Sequence, residues 1–204
     1  MSERITEPGV YDIPAEAYHA DTLPPEPSLS SSGARKLLAT CPARYWYDRQ
    51  NPPEPTEALD IGTAAHEWLL EGDRWPQRFA VLPDDHNGAT KDGKALVAEI
   101  IASGMRPLKA EPFRHIKGMI EALKAHPFAW AAFQNGRAEQ SLFWRDDDYG
   151  IWCRSRPDFR PTAGTIIVDY KTTRSANPDH LSRAMYDYGY HQQAEWYCWG
   201  EQVI

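Results

Sequence analysis

The amino-acid sequence predicts one domain of the α/β (α+β) class, because the period of its apolar residues changes twice along the 204-residue chain. Between residues 31 and 133, apolar side chains recur mainly at three- and four-residue steps, which is typical of helices. From Ala138 the pattern is typical of strands, and helical spacing returns at residues 178–200. We therefore expect helices first, then a three-stranded antiparallel meander, then closing helices, in one domain over residues 31–204.

Residues 1–30 are rich in proline and are predicted to form an extended N-terminal arm, since such segments favour polyproline or irregular conformations. Tyr11, Ile13 and Tyr18 are the side chains expected to pin this arm onto the domain.

The first predicted helix starts at a serine cluster, Ser30 to Gly33, whose hydroxyls are typical N-caps. Such a helix start, close to Arg35, Lys36 and Arg44, is able to hold a phosphate. The alternative is an ordinary capped surface helix with solvated cations. Further helices are predicted over residues 43–49, 57–71, 95–103, 113–125 and 128–133, with a polar loop over 73–93.

His66 lies within the predicted helix 57–71 and follows the small residues Gly62, Thr63, Ala64 and Ala65. A single helical histidine is usually an ordinary surface or core residue. Here the small neighbours would let another backbone segment approach the helix closely, which favours a place for His66 in a functional site.

The strand predicted over residues 165–171 ends in Asp169, Tyr170 and Lys171, with Asp169 and Lys171 on one face. A turn at 160–164 would fold 153–159 back as its antiparallel partner and bring Asp158 next to Asp169. Two carboxylates, an ammonium and the Tyr170 carbonyl oxygen would suit a divalent-metal hydrolytic site. An Asp–Lys salt bridge on a solvated sheet face explains the spacing equally well.

The last helices are predicted over residues 178–185 and 188–200. Gln193 and Tyr197 lie four residues apart in the second of them and therefore share a helix face. They could serve the same site or belong to an aromatic core face. Around the predicted site several polar side chains could contact phosphate or remain solvated: Arg154, Arg156, Arg160, Thr172, Thr173 and Arg174.

Charge and composition exclude some classes of protein. A formal net charge of −7 argues against a protein that coats nucleic acid by bulk electrostatics. The three cysteines, at positions 41, 153 and 198, have neither disulfide-framework nor zinc-ligand spacing. No apolar run is long enough to cross a membrane and the N-terminus lacks a signal peptide, so we expect a cytoplasmic protein.

Four elements in order make the chain resemble the RecB-like branch of the PD-(D/E)XK nuclease superfamily. They are His66 in Gly-Thr-Ala-Ala-His-Glu, Asp158 in Arg-Pro-Asp, Asp169-Tyr-Lys171-Thr, and Gln193-Ala-Glu-Trp-Tyr197. The N-terminal Ser-Leu-Ser-Ser-Ser and Cys-Pro-Ala-Arg-Tyr are also similar to the exodeoxyribonuclease VIII type of phages and prophages. The resemblance spans roughly residues 28–200.

The resemblance implies a restriction-endonuclease-like core, with a short mixed sheet flanked by helices, and a Mg²⁺-dependent deoxyribonuclease. By analogy it would be a 5′-to-3′ exonuclease on double-stranded DNA ends in recombination, with Mn²⁺ able to replace Mg²⁺. His66, Asp158, Asp169 and the Tyr170 carbonyl would bind metal, and Lys171 would be catalytic. Gln193 and Tyr197 would support the site or contact DNA, Glu139 would add acidic support, and candidate DNA contacts are Arg35, Arg156, Thr172 and Arg174.

Relatives implied by this resemblance often act as homo-oligomeric rings beside a single-strand annealing protein. Three scattered cysteines cannot form the four-cysteine iron–sulfur cluster of some branch members. Because the chain ends shortly after the Gln193–Tyr197 helix, we expect it to be truncated at its C-terminus. An endonuclease, a single-strand-specific nuclease, or a non-catalytic DNA- or protein-binding module on the same scaffold remain alternatives.

Overall fold

The computed structural model describes residues 4–51, 57–72, 74–162 and 166–204. These residues divide into two compact units. The first unit comprises Met1–Glu54, Asn135–Asp169 and Thr173–Ile204, and the second comprises Pro55–Gln134 and Tyr170–Thr172. Within the described ranges, none of the helices combines the length and the apolar character that a membrane crossing requires.

The described residues form ten helices and eight strands, numbered along the chain. The helices are α1 (Ala15–Ala20), α2 (Ser31–Ala39), α3 (Pro42–Gln50), α4 (Glu57–Leu70), α5 (Trp75–Arg78), α6 (Lys91–Ala102), α7 (Ala110–Ala125), α8 (Pro127–Ala132), α9 (Pro178–Asp187) and α10 (Tyr190–Val203). The strands are β1 (Gly9–Tyr11), β2 (Leu29–Ser30), β3 (Phe79–Val81), β4 (Arg106–Leu108), β5 (Gly136–Ala138), β6 (Ser141–Arg145), β7 (Trp152–Ser155) and β8 (Phe159–Pro161).

The first unit is built on a four-stranded sheet in the order β1-β6-β7-β2. β6 and β7 form the predicted antiparallel hairpin, β1 adds an antiparallel edge, and β2 adds a parallel one. α10 covers the sheet through Trp196 and Trp199, which pack on Trp144 of β6. This small mixed sheet flanked by helices confirms the predicted restriction-endonuclease-like fold class.

The N-terminal residues contribute more to the first unit than an extended arm would. Tyr11, Ile13 and Tyr18 pack with buried Phe143 and Trp152, as predicted. However, residues 9–11 and 29–30 pair with the sheet as β1 and β2, and residues 15–20 form α1. These short edge strands pair with β6 at residues 141–143 and with β7 at residues 153–154.

The predicted third strand over residues 165–171 is wrong for the residues that the structure describes. Val168 makes a single antiparallel bridge with Phe159, with backbone N–O distances of 3.1 and 3.0 Å, and the chain then leaves strand geometry. Residues 163–165, in the predicted turn and at the strand start, lie outside the described residues. Pro161 has no N–H to continue the ladder, and β8 instead pairs with β5.

The second unit is mainly helical, with a core between α4 and α7. Ala64 and Ala65 of α4 are fully buried there with Ile116 and Ile120, beside stacked aromatic rings. The segment predicted as a polar loop over residues 73–93 instead contains α5 and β3. The aromatic side chains of Trp75 and Phe79 account for this, because they are buried in the core.

Candidate functional site

Glu139 and Asp158 face each other in the first unit, where β5 and β8 pair. The Glu139 N–H donates to the Asp158 carbonyl oxygen at 3.0 Å, and a carboxylate oxygen of each residue lies within 4.8 Å of the other. Glu139 has a left-handed backbone with φ of 57°, and it separates β5 from β6 where the sequence predicts strand structure from Ala138 onward. At this break the Glu139 side chain lies beside Asp158.

Arg156 holds the Glu139 side chain in position. Its Nε donates to Glu139 Oε2 at 2.5 Å, and its Nη1 donates to Ser141 Oγ at 2.6 Å and to the Ile13 carbonyl at 3.0 Å. The sequence suggested Arg156 as a DNA contact. The structure instead commits its guanidinium to groups inside the first unit, because the β6–β7 hairpin turns this side chain inward.

Gln193 and Tyr197 of α10 form a chain of hydrogen bonds that starts at Asp169. The Gln193 amide donates to Asp169 Oδ1 at 3.3 Å and to the Tyr197 hydroxyl oxygen at 2.8 Å. The Tyr197 hydroxyl in turn donates to the Arg156 carbonyl at 3.3 Å. Burial, offset only partly by the Gln193 hydrogen bond, raises the pKa of Tyr197, so the hydroxyl keeps its proton. The predicted shared face of Gln193 and Tyr197 therefore holds an acidic side chain.

The alternative interpretation of this helix, an aromatic core face, also holds for other residues of α10. Trp196 and Trp199 pack on Trp144, and the Trp196 indole donates to the Arg154 carbonyl at 2.9 Å. The tryptophans of α10 therefore pack the helix onto the sheet, while Gln193 and Tyr197 form the hydrogen bonds that lead to Asp169.

Asp158 and Asp169 both act on Tyr197, since each carboxylate raises the pKa of its hydroxyl. Asp158 is only 7% exposed, and Asp169 is half-buried. Carboxylate oxygens are the ligands that a hard divalent cation such as Mg²⁺ takes. The oxygen donors of Glu139 and Asp158 fit such an ion chemically.

The remaining predicted site residues, His66, Tyr170, Lys171 and Thr172, belong to the second unit. A Cβ atom built at Gly62 would lie 3.5 Å from Thr172 Oγ1, so the short segment 170–172 runs close to α4 at its small residues. Tyr170 packs against the core, and burial raises the pKa of its hydroxyl. His66 is half-buried on α4 and Lys171 is exposed. Residues 169–171 lie outside the strands of the structure, so the strand on which Asp169 and Lys171 were predicted to share a face is not formed there.

The candidate phosphate-binding arginines fall into two groups. Arg154 and Arg160 have carboxylate partners: Arg154 pairs with buried Asp21, and Arg160 forms a two-pronged ion pair with Glu201. Arg35 lines a cavity in the first unit, and Arg174 is exposed. Sequence reasoning missed the buried Asp21–Arg154 pair, for which the pattern gives no local signal.

The cysteines are free within the described part of the chain, as predicted. Cys153 is buried in β7, and this burial raises the pKa of its thiol to about 12, which keeps it protonated and unreactive.

Comparison with known families gives a match that covers most of the chain. The model of a PDDEXK-like domain of unknown function (DUF3799) matches residues 30–203. No curated protein matches the chain. The matched span includes the β6–β7 hairpin, both carboxylates that face each other, and the Gln193–Tyr197 helix. The chain is therefore a member of the family of PDDEXK-like domains of unknown function, within the PD-(D/E)XK superfamily.

Proposed function

We propose that the protein is a Mg²⁺-dependent deoxyribonuclease of the exodeoxyribonuclease VIII type, which hydrolyses double-stranded DNA ends from 5′ to 3′. The observation that carries this proposal is the approach of a Glu139 and an Asp158 carboxylate oxygen to within 4.8 Å. The Arg156 guanidinium offsets part of the negative charge at Glu139, and carboxylate oxygens grouped in this way are ligands that a hard divalent cation takes. Membership of a PDDEXK-like family supports nuclease chemistry at this cluster.

The metal would be held by Asp158 and Asp169, with Glu139 beside them. The resemblance adds His66 and the Tyr170 carbonyl oxygen as further ligands. A bound Mg²⁺ would lower the pKa of a water ligand and offset negative charge on the phosphodiester.

Lys171 is the proposed catalytic residue, because an ammonium group can orient the attacking water and offset developing negative charge. Gln193 is a positioning residue: its amide fixes the orientation of the Asp169 carboxylate. Tyr197 in turn fixes Gln193, and Arg156 fixes Glu139. Half-buried, hydrogen-bonded supports of this kind keep ligand side chains in one geometry.

The biological setting follows from the resemblance. We propose that the protein acts in DNA recombination, in the cytoplasm, beside a single-strand annealing protein that uses its product. Thr172 and Arg174 remain proposed DNA contacts, and a homo-oligomeric ring remains the proposed assembly.

A nuclease assay tests the proposal. Linear duplex labelled at either the 5′ or the 3′ end, and covalently closed duplex, would be incubated with the protein in Mg²⁺, Mn²⁺ or EDTA. We expect metal-dependent digestion of the linear duplex alone, with early release of the 5′ label. Lys171→Ala should abolish digestion of the linear duplex, whereas Lys117→Ala, at an exposed lysine of α7, should leave it unchanged.

Other outcomes would replace parts of the proposal. Cleavage of the closed circle would indicate an endonuclease, and digestion of single strands alone would indicate a single-strand-specific enzyme. Digestion that persists in EDTA or in Lys171→Ala would contradict the metal-dependent mechanism. Metal and DNA binding without any hydrolysis would indicate a binding module.

A further inference from the structure

A second polar feature of the first unit is a cavity of about 850 Å³ between α2, α3, β7 and the start of α10. We call it the α2–α10 cavity. Its volume lies in the range of sites for small molecules and cofactors, which is large enough for a nucleotide. The residues that line it are Ser30, Ser32, Gly33, Arg35, Lys36, Ala39, Tyr45, Asp48, Arg49, Arg154, Tyr186, Asp187, Gly189, His191 and Gln192.

Positive side chains outnumber negative ones on the cavity wall. Four cations, Arg35, Lys36, Arg49 and Arg154, face two carboxylates. Lys36 is neutralised by Asp48, whose carboxylate lies 2.6 Å from its ammonium. Arg49 and Arg154 share the carboxylate of Asp21, so Arg35 and one further guanidinium charge face Asp187 alone. The wall therefore keeps a net positive charge, which attracts an anion.

Arg154 is the strongest indication of a ligand. It is only 8% exposed, and within the described residues its Nε–H has no hydrogen-bond partner. Its Nη1 donates to Ser28 Oγ at 2.8 Å and pairs with the buried carboxylate of Asp21, which Arg49 also contacts at 2.5 Å. This Nε–H is enclosed within the first unit and does not face the cavity. However, two guanidinium groups share one buried carboxylate, so a positive charge remains that an anion in the cavity would balance.

The N-terminus of α2 adds to this positive field. Ser30 caps the helix by accepting from the Gly33 N–H at 3.2 Å, and the Ser30 and Ser32 hydroxyls lie 3.1 Å apart. Gly33 is buried, and a Cβ atom there would lie 3.2 Å from the Tyr45 hydroxyl. The helix dipole places partial positive charge at this end, where phosphate groups bind in many proteins.

One edge of the cavity is aromatic. Tyr186, at the end of α9, is 78% exposed although it lines the cavity. Its ring lies nearly parallel to that of His191, with an interplanar angle of 14° and centroids 6.2 Å apart. An exposed, supported aromatic ring next to a positive pocket is a platform on which proteins stack unpaired bases.

We propose that the α2–α10 cavity binds one nucleotide of an unpaired DNA strand. Its phosphate contacts Arg35 and Arg49, and its base stacks on Tyr186. The choice of DNA rests on the proposed function. Gln192 lines the cavity and the next residue, Gln193, contacts Asp169, so this nucleotide would sit close along the strand to the carboxylate cluster.

The test measures binding in EDTA, where hydrolysis by a metal site is blocked. Fluorescence anisotropy would follow a labelled ten-nucleotide thymidine strand, and the same strand in duplex form would be compared. We expect the single strand to bind more tightly, and Arg35→Ala and Tyr186→Ala each to weaken it roughly tenfold. Arg183→Ala and Tyr149→Ala, at exposed positions outside the cavity wall, are the matched controls.

Competition separates the sources of the anion. Thymidine 5′-monophosphate should displace the strand at least about tenfold better than inorganic phosphate or thymidine alone, since only it offers both contacts. Equal competition by inorganic phosphate would contradict base stacking. A thermal melt checks that each variant is folded, and Tyr186→Ala changes an exposed side chain only.

Unchanged binding in Arg35→Ala or Tyr186→Ala would overturn the cavity assignment, as would tighter binding of the duplex. Because no hydrolysis is measured, this result is independent of the nuclease assay. If the protein binds the single strand, and Arg35→Ala and Tyr186→Ala weaken that binding, the cavity assignment is supported even when no nuclease activity is found. That outcome would contradict the proposed function alone.

Discussion

Two arginines of the first unit, buried Arg154 and half-buried Arg156, both lie against the ring of Tyr18 but have opposite surroundings. Their guanidinium carbons are 5.1 and 5.7 Å from the ring centroid. Arg156 supports Glu139 beside Asp158, so two carboxylates are grouped with one guanidinium. Arg154 shares Asp21 with Arg49, so two guanidinium groups are grouped with one carboxylate.

These two groupings correspond to the two proposed ligands, a cation beside the carboxylates and an anion beside the guanidinium groups. A buried charge is costly unless it is paired, so a grouping with extra carboxylates favours a cation and one with extra guanidinium groups favours an anion. A metal-dependent nuclease needs both: a cation for the reaction and contacts for the phosphates of the strand. The two groupings can be tested separately by changing one carboxylate in each.

The largest expected effect is the loss of nuclease activity when a carboxylate of the Glu139–Asp158 grouping is changed. Asp158→Asn should reduce metal-dependent nuclease activity at least about a thousandfold, on the order of 4 kcal/mol, because an amide is a poor ligand for a divalent cation. The measurement is the rate of digestion of linear duplex in Mg²⁺. Asp147→Asn, at an exposed position in the β6–β7 turn, is the control and should leave the rate unchanged. Calorimetry that finds the same metal affinity in Asp158→Asn would disprove the ligand assignment.

A change in the Asp21–Arg154–Arg49 grouping should lower the stability of the fold instead. Asp21→Asn should lower the free energy of unfolding by about 3–5 kcal/mol, because it leaves Arg154 and Arg49 without their buried counter-charge. Asn also tolerates the left-handed backbone at this position, where φ is 52°, so charge is the main change. Urea unfolding measures the effect. The exposed Asp12–Arg137 pair supplies the contrast, since Asp12→Asn should cost less than about 1 kcal/mol; equal losses in the two variants would show that Asp21 has no special role.

Tyr18, which contacts both arginines, should make stability depend on pH in the alkaline range. Burial raises the pKa of Tyr18 to about 12, against a smaller lowering by Arg154. Because the folded pKa lies above the unfolded value, this contribution is full below pH 10 and is lost as the pH rises towards 12. The loss amounts to about 3 kcal/mol. Tyr18→Phe should therefore lose less stability between pH 10 and 12 than the unchanged chain, as measured by urea unfolding, and parallel curves would contradict the role of this hydroxyl.

The smallest effect is expected at the support of Asp169. Tyr197→Phe removes the hydroxyl that accepts from Gln193 and donates to the Arg156 carbonyl, and should lower kcat about tenfold, or about 1.4 kcal/mol. KM for DNA should stay unchanged, because Tyr197 acts through Gln193 and not on the substrate. Tyr149→Phe, on an exposed ring of the β6–β7 turn, is the control. A change in KM with an unchanged kcat would instead indicate a direct DNA contact.

Most secondary structure could be predicted from the sequence because its signals are local. The serine cap of α2, the β6–β7 hairpin and the shared face of Gln193 and Tyr197 each depend on residues within a few positions of one another. The third strand was mispredicted for the opposite reason. A β-branched run needs a partner strand to stay extended, and β8 pairs with β5, a segment more than twenty residues earlier in the chain.

The sequence by itself determined the fold class and the superfamily, and it predicted the acidic and amide residues of the candidate site. Only the tertiary structure decided how their charges are grouped. Glu139 and Arg156 are 17 residues apart, and Ser28 and Arg154 are 126 apart. These contacts form because the sheet brings distant segments of the chain together: β6 pairs with β7, and β2 pairs with β7 at Arg154. The left-handed backbone at Glu139 also ends β5 next to Asp158. The sign and strength of a buried charge depend on such neighbours, which no periodicity along the chain encodes.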